Sequence, residues 1–165
     1  MRRVALTAAM AMVVAGMAAS ANAEIIRFTS ALSGANETTS TPGVLGVLTG
    51  AFGTATVTLD TETKTVSWNI DIWNLPSGIN NAHFHVGGPG VAGPTVVNIP
   101  FPATASNDFN LSGSATTPTA GLRPDQGIRS WDDFLQSLIG GQTYLNIHTQ
   151  VFGGGEIRGQ VIRVP

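Results

Sequence analysis

The chain contains no cysteine, and charged residues make up only 11 % of its 165 positions. Without cysteine there can be no disulfides, thiol chemistry, iron–sulfur clusters or zinc-finger sites. The net charge is −2 and no basic run is present, which argues against nucleic acid and anionic membrane surfaces as partners. Beyond the N-terminus no apolar run reaches the roughly 18 residues of a membrane span. The few ionisable residues are therefore the place to look for chemistry.

Residues 1–23 have the pattern of a secretory signal peptide. Arg2 and Arg3 precede an apolar run that ends in A-N-A, a small-x-small cleavage signal. We therefore expect cleavage after Ala23 and export to the periplasm or the exterior, with no membrane span in the mature chain. The remaining residues, 24–165, have the size of one domain and can bury a core without covalent cross-links.

Alternation of apolar and polar residues predicts β-strands through most of the mature chain. The segment T-A-T-V-T-L (54–59) alternates with threonine, and a hairpin connection leads to a second strand with apolar residues at 66, 68, 70 and 72. Further strands are expected at 25–33, 81–86, 95–99, 107–113, 143–149 and 156–164. About eight short strands between Gly/Pro/Asn-rich turns predict an all-β fold, an antiparallel Greek-key β-sandwich or barrel.

One segment, about 130–139, departs from this alternation and predicts a short crossover helix. Its apolar residues follow the helical spacing i, i+3, i+4 and i+7: Trp131, Phe134, Leu135 and Leu138. Ser130 is a suitable N-cap, and the Gly-Gly pair at 140–141 can end the helix. We interpret the aromatic stripe as core packing and not as a cofactor site.

All three histidines lie in two segments, N-A-H-F-H-V-G-G-P-G (81–90) and Y-L-N-I-H-T-Q-V-F-G-G-G-E-I-R-G-Q (144–160). His83 and His85 are two residues apart on a predicted strand, so their side chains project from the same face. His148 can supply a third imidazole if its strand is a neighbour of the first.

Three imidazoles with an open fourth position suit zinc or copper. Glu156 is then a candidate fourth ligand, or a carboxylate that orients one of the rings. The alternative is that the histidines only form hydrogen bonds with loop carbonyls. A separation above about 8 Å between His148 and the other rings would exclude a shared ion, because metal–nitrogen bonds are about 2.0–2.1 Å long.

Glu156 and Arg158 are also two residues apart on a predicted strand. They are expected either to form a structural pair or to leave Arg158 as a bidentate donor for a partner. The glycine-rich loop 87–94 fits turn geometry better than a phosphate cradle, because neither a helix nor a lysine follows it. No serine has the setting of a catalytic nucleophile, so no catalytic residue is assigned.

Four runs together resemble the CHRD domain, a module named for the developmental regulator chordin and widespread in secreted bacterial proteins. They are A-L-S-G-A-N-E (31–37), A-H-F-H-V-G-G-P-G-V-A-G-P (82–94), N-I-H-T (146–149) and G-E-I-R-G-Q (155–160). The resemblance covers about 28–164. In the familiar opening, prolines soon follow the glutamate, whereas here T-T-S-T (38–41) precedes Pro42. The resemblance implies a secreted β-sandwich domain without a defined reaction.

The H-x-H strand and the late G-E-I-R-G strand are also similar in layout to copper–zinc superoxide dismutase. The further histidines, the aspartate and the cysteine pair of that enzyme have no counterparts, so dismutase activity is not expected. Our first functional hypothesis is a non-enzymatic binding or structural module of the cell envelope or exterior, with an unidentified protein or envelope component as partner. The second is a Cu- or Zn-binding protein that uses His83, His85 and His148, with a redox or storage role.

Overall fold

The computed structural model describes residues 23–38, 46–102 and 107–165; the signal peptide predicted for 1–23 lies outside them except for its last residue. The described elements are β1 (Ile25–Ser33), β2 (Phe52–Asp60), β3 (Thr65–Leu75), β4 (Ile79–Val86), β5 (Thr95–Asn98), β6 (Asn107–Ala115), α1 (Trp131–Ile139), β7 (Thr143–Thr149), β8 (Ile157–Gln160) and β9 (Ile162–Arg163). Within these residues no helix is long and apolar enough to span a membrane.

The strands form a single antiparallel sheet that curls into a nearly closed barrel, as the alternation predicted. Their order is β5-β4-β7-β8-β1-β2-β3-β6, with β9 paired to β1. β1, β2 and β3 form a meander, whereas the chain crosses over from β3 to β4 and from β6 to β7. These crossovers place the two histidine strands, β4 and β7, side by side although they are distant in sequence.

The inner face of the sheet is apolar because every second residue of each strand points inward. In β1 the burial alternates without exception from Ile25 to Leu32. The hydrophobic core includes Phe84 of β4, Leu145 and Ile147 of β7 and Ile157 of β8, each with no measurable exposure. Burial of these side chains stabilises the barrel and fixes which residues of the same strands point outward.

The helix forms where its periodicity and cap predicted. Ser130 accepts a hydrogen bond from the Asp133 amide at 3.1 Å, and Gly140 is the C-cap. Phe134 and Leu138 are buried, and the Phe134 ring packs edge-on against Phe84 with centroids 6.3 Å apart. The aromatic stripe of α1 therefore belongs to the core, as interpreted from the sequence.

The strand expected over 156–164 is divided in two. β8 lies between β7 and β1, while β9 continues against β1 alone. Between them the buried Val161 donates its amide to the carbonyl of Thr143 at 2.9 Å. Among the described residues this division gives nine strands instead of about eight, and the architecture is unchanged.

Candidate metal centre

The register of β4 and β7 brings the three histidines together on the outer face of the sheet. His83 lies opposite Asn146 and His148 lies opposite Asn81, so the histidines are diagonal neighbours across the strand pair. Phe84, between the two β4 histidines, and Ala82, which precedes them, point into the core. The burial of these apolar residues is the reason that both imidazoles must project outward.

The three imidazoles are close enough to share one ion. A ligand nitrogen from each of His83, His85 and His148 lies within 4.8 Å of the others, and His83 Nδ1 is 3.3 Å from His148 Nε2. Two nitrogens bound to one ion at about 2.0–2.1 Å are about 3.3 Å apart in tetrahedral geometry. The closest pair already has this spacing, and all three lie far inside the 8 Å limit set from the sequence.

Two loop carbonyls fix the protonation of two of these rings. His85 Nδ1 is 2.9 Å from the carbonyl oxygen of Gly93, and His148 Nδ1 is 3.0 Å from that of Gly153. A carbonyl can only accept, so each Nδ1 carries the hydrogen and each Nε2 is unprotonated in the neutral ring; the Nε2 of His148 then accepts from His83 Nδ1. Metal-binding histidines are commonly oriented in this way.

Burial keeps the rings uncharged at neutral pH. The pKa of His83 and that of His85 are lowered from 6.5 to about 4, mainly by burial; repulsion from neighbouring imidazoles adds to the lowering, and for His85 the hydrogen bond to the Gly93 carbonyl opposes it. Burial also lowers the pKa of His148, against the opposing effect of the Gly153 carbonyl. Metal ions bind the neutral imidazole, so a proton need not be displaced from an imidazolium.

The His85 ring is part of a stack with an aromatic ring, Tyr144, and a cationic group, Arg158. The Tyr144 ring lies parallel to His85 with centroids 4.8 Å apart, and the Arg158 guanidinium lies 3.4 Å from the Tyr144 centroid. The Tyr144 hydroxyl accepts a hydrogen bond from the Gly93 amide at 3.0 Å. Tyr144 therefore orients both His85 and the loop whose carbonyl holds that histidine.

Glu156 lies apart from the histidines. Its carboxylate accepts hydrogen bonds from Thr49 Oγ1 at 2.6 Å and from Thr149 Oγ1 at 2.7 Å, and the residue is fully buried. The Thr149 side chain is on the opposite side of β7 from His148. The metal-capable group formed by the described residues contains the three histidines without Glu156.

Arg158 does not form the expected pair with Glu156, because Glu156 precedes β8 and strand alternation does not apply to it. The ion pairs between described residues are Lys64–Asp132 and Arg163–Glu24. The Arg158 guanidinium instead donates to the carbonyls of Gly88 and Val91, both at 2.9 Å. It is only 2 % exposed, and it fastens the glycine-rich loop to the barrel.

That loop has the turn role expected of it. A Cβ atom at Gly93 would collide with the Val86 carbonyl oxygen, so only glycine allows this close return of the chain. The close return brings the Gly93 carbonyl to His85. The function of this carbonyl could not be read from the sequence, although the glycines next to the H-x-H strand were a signal of tight backbone approach.

The family model for the CHRD domain matches residues 28–161, which include both histidine segments. The chain belongs to the CHRD family. No curated protein and no solved structure matches it. In this CHRD domain the four resemblance motifs converge on one face. The opening motif contributes Glu37, buried beside Asn146, whose amide lies 3.5 Å from Glu37 Oε2.

Proposed function

We propose that this CHRD domain binds one copper or zinc ion through His83, His85 and His148. The observation that carries the proposal is the convergence of three ring nitrogens within 4.8 Å, two of them on rings whose Nδ1 is engaged by a carbonyl. His85 and His148 would each offer Nε2, and His83 would offer Nδ1 after moving its proton to Nε2.

We propose that the site holds an ion, because no catalytic residue is assigned beside the three histidines. Neutral imidazoles suit copper and zinc, and divalent copper generally binds a given nitrogen site more tightly than zinc. Bound there, the ion would supply Lewis acidity and, if copper, a redox couple. The chain's own residues orient the rings and limit access from water, as expected of a protein that sequesters or delivers the ion.

The compartment is part of the proposal. The signal-peptide pattern of residues 1–23 supports export to the periplasm or the exterior. Fractionation of the producing cell, with N-terminal sequencing of the exported form, tests this. Glu24 is the expected first residue, and intact protein retained in the cytosol would contradict the proposal.

A competition titration tests metal binding directly. Cu²⁺ or Zn²⁺ is added to metal-free protein in the presence of a chromophoric chelator, while the imidazole signals are followed by NMR. We expect one equivalent to bind and His148→Ala to weaken binding at least 100-fold. Asn81→Ala is the matched control, because Asn81 is an exposed neighbour on the same face of the sheet. Equal affinities for the two variants would overturn the proposal.

A second candidate function, partner binding, is favoured by an apolar cavity beside the histidines. It has a volume of about 720 Å³ and is lined in part by Leu48, Val151 and Phe152. Leu48 and Val151 lie at the rim of this cavity and are 101 % and 68 % exposed. Exposed aliphatic side chains that lie together are typical of a surface that contacts a partner. We propose that this rim contacts a component of the cell envelope.

Cosedimentation with isolated envelopes tests that contact. The double variant Leu48→Ser/Val151→Ser should remain in the supernatant, whereas Leu122→Ser, another exposed leucine, should sediment like the unaltered protein. Equal sedimentation of both variants would contradict the role of the rim.

A further inference from the structure

The three imidazoles give a bound ion no negative charge. Among the described residues, the group able to hold a metal contains His83, His85 and His148 and no carboxylate. Glu156 is held away from it by hydrogen bonds from the hydroxyls of two threonines. A neutral imidazole leaves the charge of the ion uncompensated, whereas a thiolate or a carboxylate would reduce it. A divalent ion therefore keeps two uncompensated charges at this centre, and a monovalent ion keeps one.

The centre also has little room for a fourth ligand on the side of His85. His85 Nε2 is buried out of reach of water and has no hydrogen-bond partner among the described residues, a costly state that a bound ion would relieve. The His83 and His148 rings surround this nitrogen, with centroids 5.4 and 6.1 Å from that of His85. Zn²⁺ beside three histidines takes a fourth ligand. Cu²⁺ prefers square-planar or tetragonal surroundings, whereas the closed-shell Cu⁺ ion is stable with three nitrogen donors.

A fixed positive charge lies in the stack that contains His85. The Tyr144 ring is parallel to His85, and the Arg158 guanidinium lies on the Tyr144 ring, 3.4 Å from its centroid. Arg158 is 2 % exposed, so water and salt screen its charge poorly. Burial is the main cause of the lowered pKa of His85, and the Arg158 charge is a further one, so the guanidinium disfavours positive charge at this ring. The repulsion of a bound ion increases in proportion to the charge of that ion.

We propose that the three-histidine centre selects monovalent copper over Cu²⁺ and Zn²⁺, and that the Arg158 guanidinium determines this selectivity. The inference rests on the metal proposal above and narrows it to one ion. Three neutral donors with little room for a fourth ligand suit Cu⁺, and the guanidinium penalises the second charge of either divalent ion. Arg158 acts through space and through the Tyr144 ring, and it does not coordinate the ion.

Competition with chromophoric chelators tests the selectivity on the full mature protein at about pH 6. Bicinchoninate is the competitor for Cu⁺, under argon with ascorbate as reductant, and a separate chelator is used for each divalent ion. At this pH the Glu37 carboxyl, whose pKa burial raises to about 7, is mostly uncharged and does not offset the Arg158 charge. We expect Cu⁺ to bind at least about tenfold more tightly than Cu²⁺ or Zn²⁺. Equal or tighter binding of a divalent ion would overturn this proposal alone, whereas no binding of any of the three ions would overturn the metal proposal as well.

Two substitutions separate the charge of Arg158 from its structural contacts. Arg158→Met removes the charge and the hydrogen bonds to the carbonyls of Gly88 and Val91, whereas Arg158→Lys keeps the charge and disturbs the same hydrogen bonds. Arg158→Met should lower the ratio of Cu⁺ affinity to Cu²⁺ affinity about tenfold, and Arg158→Lys should keep the ratio within about twofold. Loosening of the loop weakens the binding of both ions and leaves their ratio unchanged. An unchanged ratio in Arg158→Met, or an equal fall in both variants, would overturn the role of the charge.

A third substitution keeps the test decisive where Arg158→Met does not fold. The ionised Glu37 carboxylate attracts the Arg158 charge and so offsets it. Glu37→Gln, measured at about pH 8, removes this negative charge and leaves Arg158 in place. The ratio of Cu⁺ affinity to Cu²⁺ affinity should then rise about threefold above that of the unaltered protein at the same pH. A ratio that stays constant or falls would overturn the proposal.

Discussion

The two faces of strands β4 and β7 carry different kinds of residue only one position apart. Phe84, inside, has no exposed surface and packs against Trp68 with centroids 5.5 Å apart. Its neighbours His83 and His85, outside, contact other imidazoles, a tyrosine and loop carbonyls. The inner face supplies stability through apolar burial. The outer face holds polar side chains in fixed positions at little gain in stability, as expected of a site.

The sharpest test of this division is a comparison of adjacent residues. Phe84→Ala should lower the free energy of unfolding by about 3–5 kcal/mol, because it removes a large side chain from a closed core. His83→Ala should lower it by less than about 1 kcal/mol, since His83 is only partly buried and changes at such positions are usually small. Urea denaturation followed by tryptophan fluorescence measures both. Equal losses would mean that the outer face is as structural as the inner one.

Glu156 should behave as a structural group although its side chain is ionisable. Thr149→Val keeps the side-chain shape but removes the 2.7 Å hydrogen bond to the buried Glu156 carboxyl and the 3.1 Å hydrogen bond from the Phe152 amide. A loss of about 1–3 kcal/mol in the free energy of unfolding is expected, because the acceptor is left unsatisfied. Thr56→Val, at an exposed threonine of β2, is the matched control and should change stability little. An equal loss of unfolding free energy in Thr56→Val would contradict a stabilising role of the contact between Thr149 and Glu156.

The stack beneath His85 should affect metal affinity more than stability. Tyr144→Leu removes the ring between His85 and Arg158, and loss of such outer support typically weakens metal binding about 10–100-fold. Tyr144→Phe retains the ring but loses both contacts of the hydroxyl with Gly93, the hydrogen bond from the amide at 3.0 Å and the weaker one to the carbonyl at 3.5 Å. Chelator competition should therefore rank the unaltered protein first, Tyr144→Phe second and Tyr144→Leu third. An unaltered affinity in Tyr144→Leu would show that the stack is unrelated to the ion.

The smallest expected effect is a pH dependence in which two groups oppose each other. The lowered pKa values of His83 and His85, about 4, make the metal-free fold lose stability as pH falls from 6.5 toward 4. The raised pKa of Glu37, about 7, makes it lose stability as pH rises from 4.5 toward 7. The two slopes partly cancel in the unaltered protein.

Variants should separate these slopes. In Glu37→Gln the free energy of unfolding should rise more steeply between pH 4.5 and 6.5, and in His83→Ala/His85→Ala it should fall over the same range. Urea titrations at several pH values measure both. Parallel profiles in the two variants would contradict the assigned causes.

Much of the fold followed from the sequence because alternation and capping are local. β1 and β7 have the bounds that their patterns predicted, and α1 begins after its Ser130 cap. The pairing of β4 with β7 did not follow from the pattern, since nothing local specifies which distant strands become neighbours. The chain's membership of the CHRD family was recognisable because its motifs keep their order.

The site was predictable only in part, for physical reasons. Two residues on one strand share a face, so His83 and His85 were expected together. The expected pair of Glu156 with Arg158 does not form. The backbone turns at Gly155, at φ 129°, and β8 begins only after Glu156. Hydrogen bonds from the histidines to loop carbonyls were one expectation, but carbonyls carry no side-chain signature, so Gly93 and Gly153 could not be identified in advance.

The most direct measurement is the metal content, by mass spectrometry, of protein purified without a histidine tag from its own compartment, beside the His83→Ala/His85→Ala variant. The account predicts about one equivalent of copper or zinc in the unaltered protein and none in the variant. No metal in either, with both folded alike, would contradict it and make the three histidines structural.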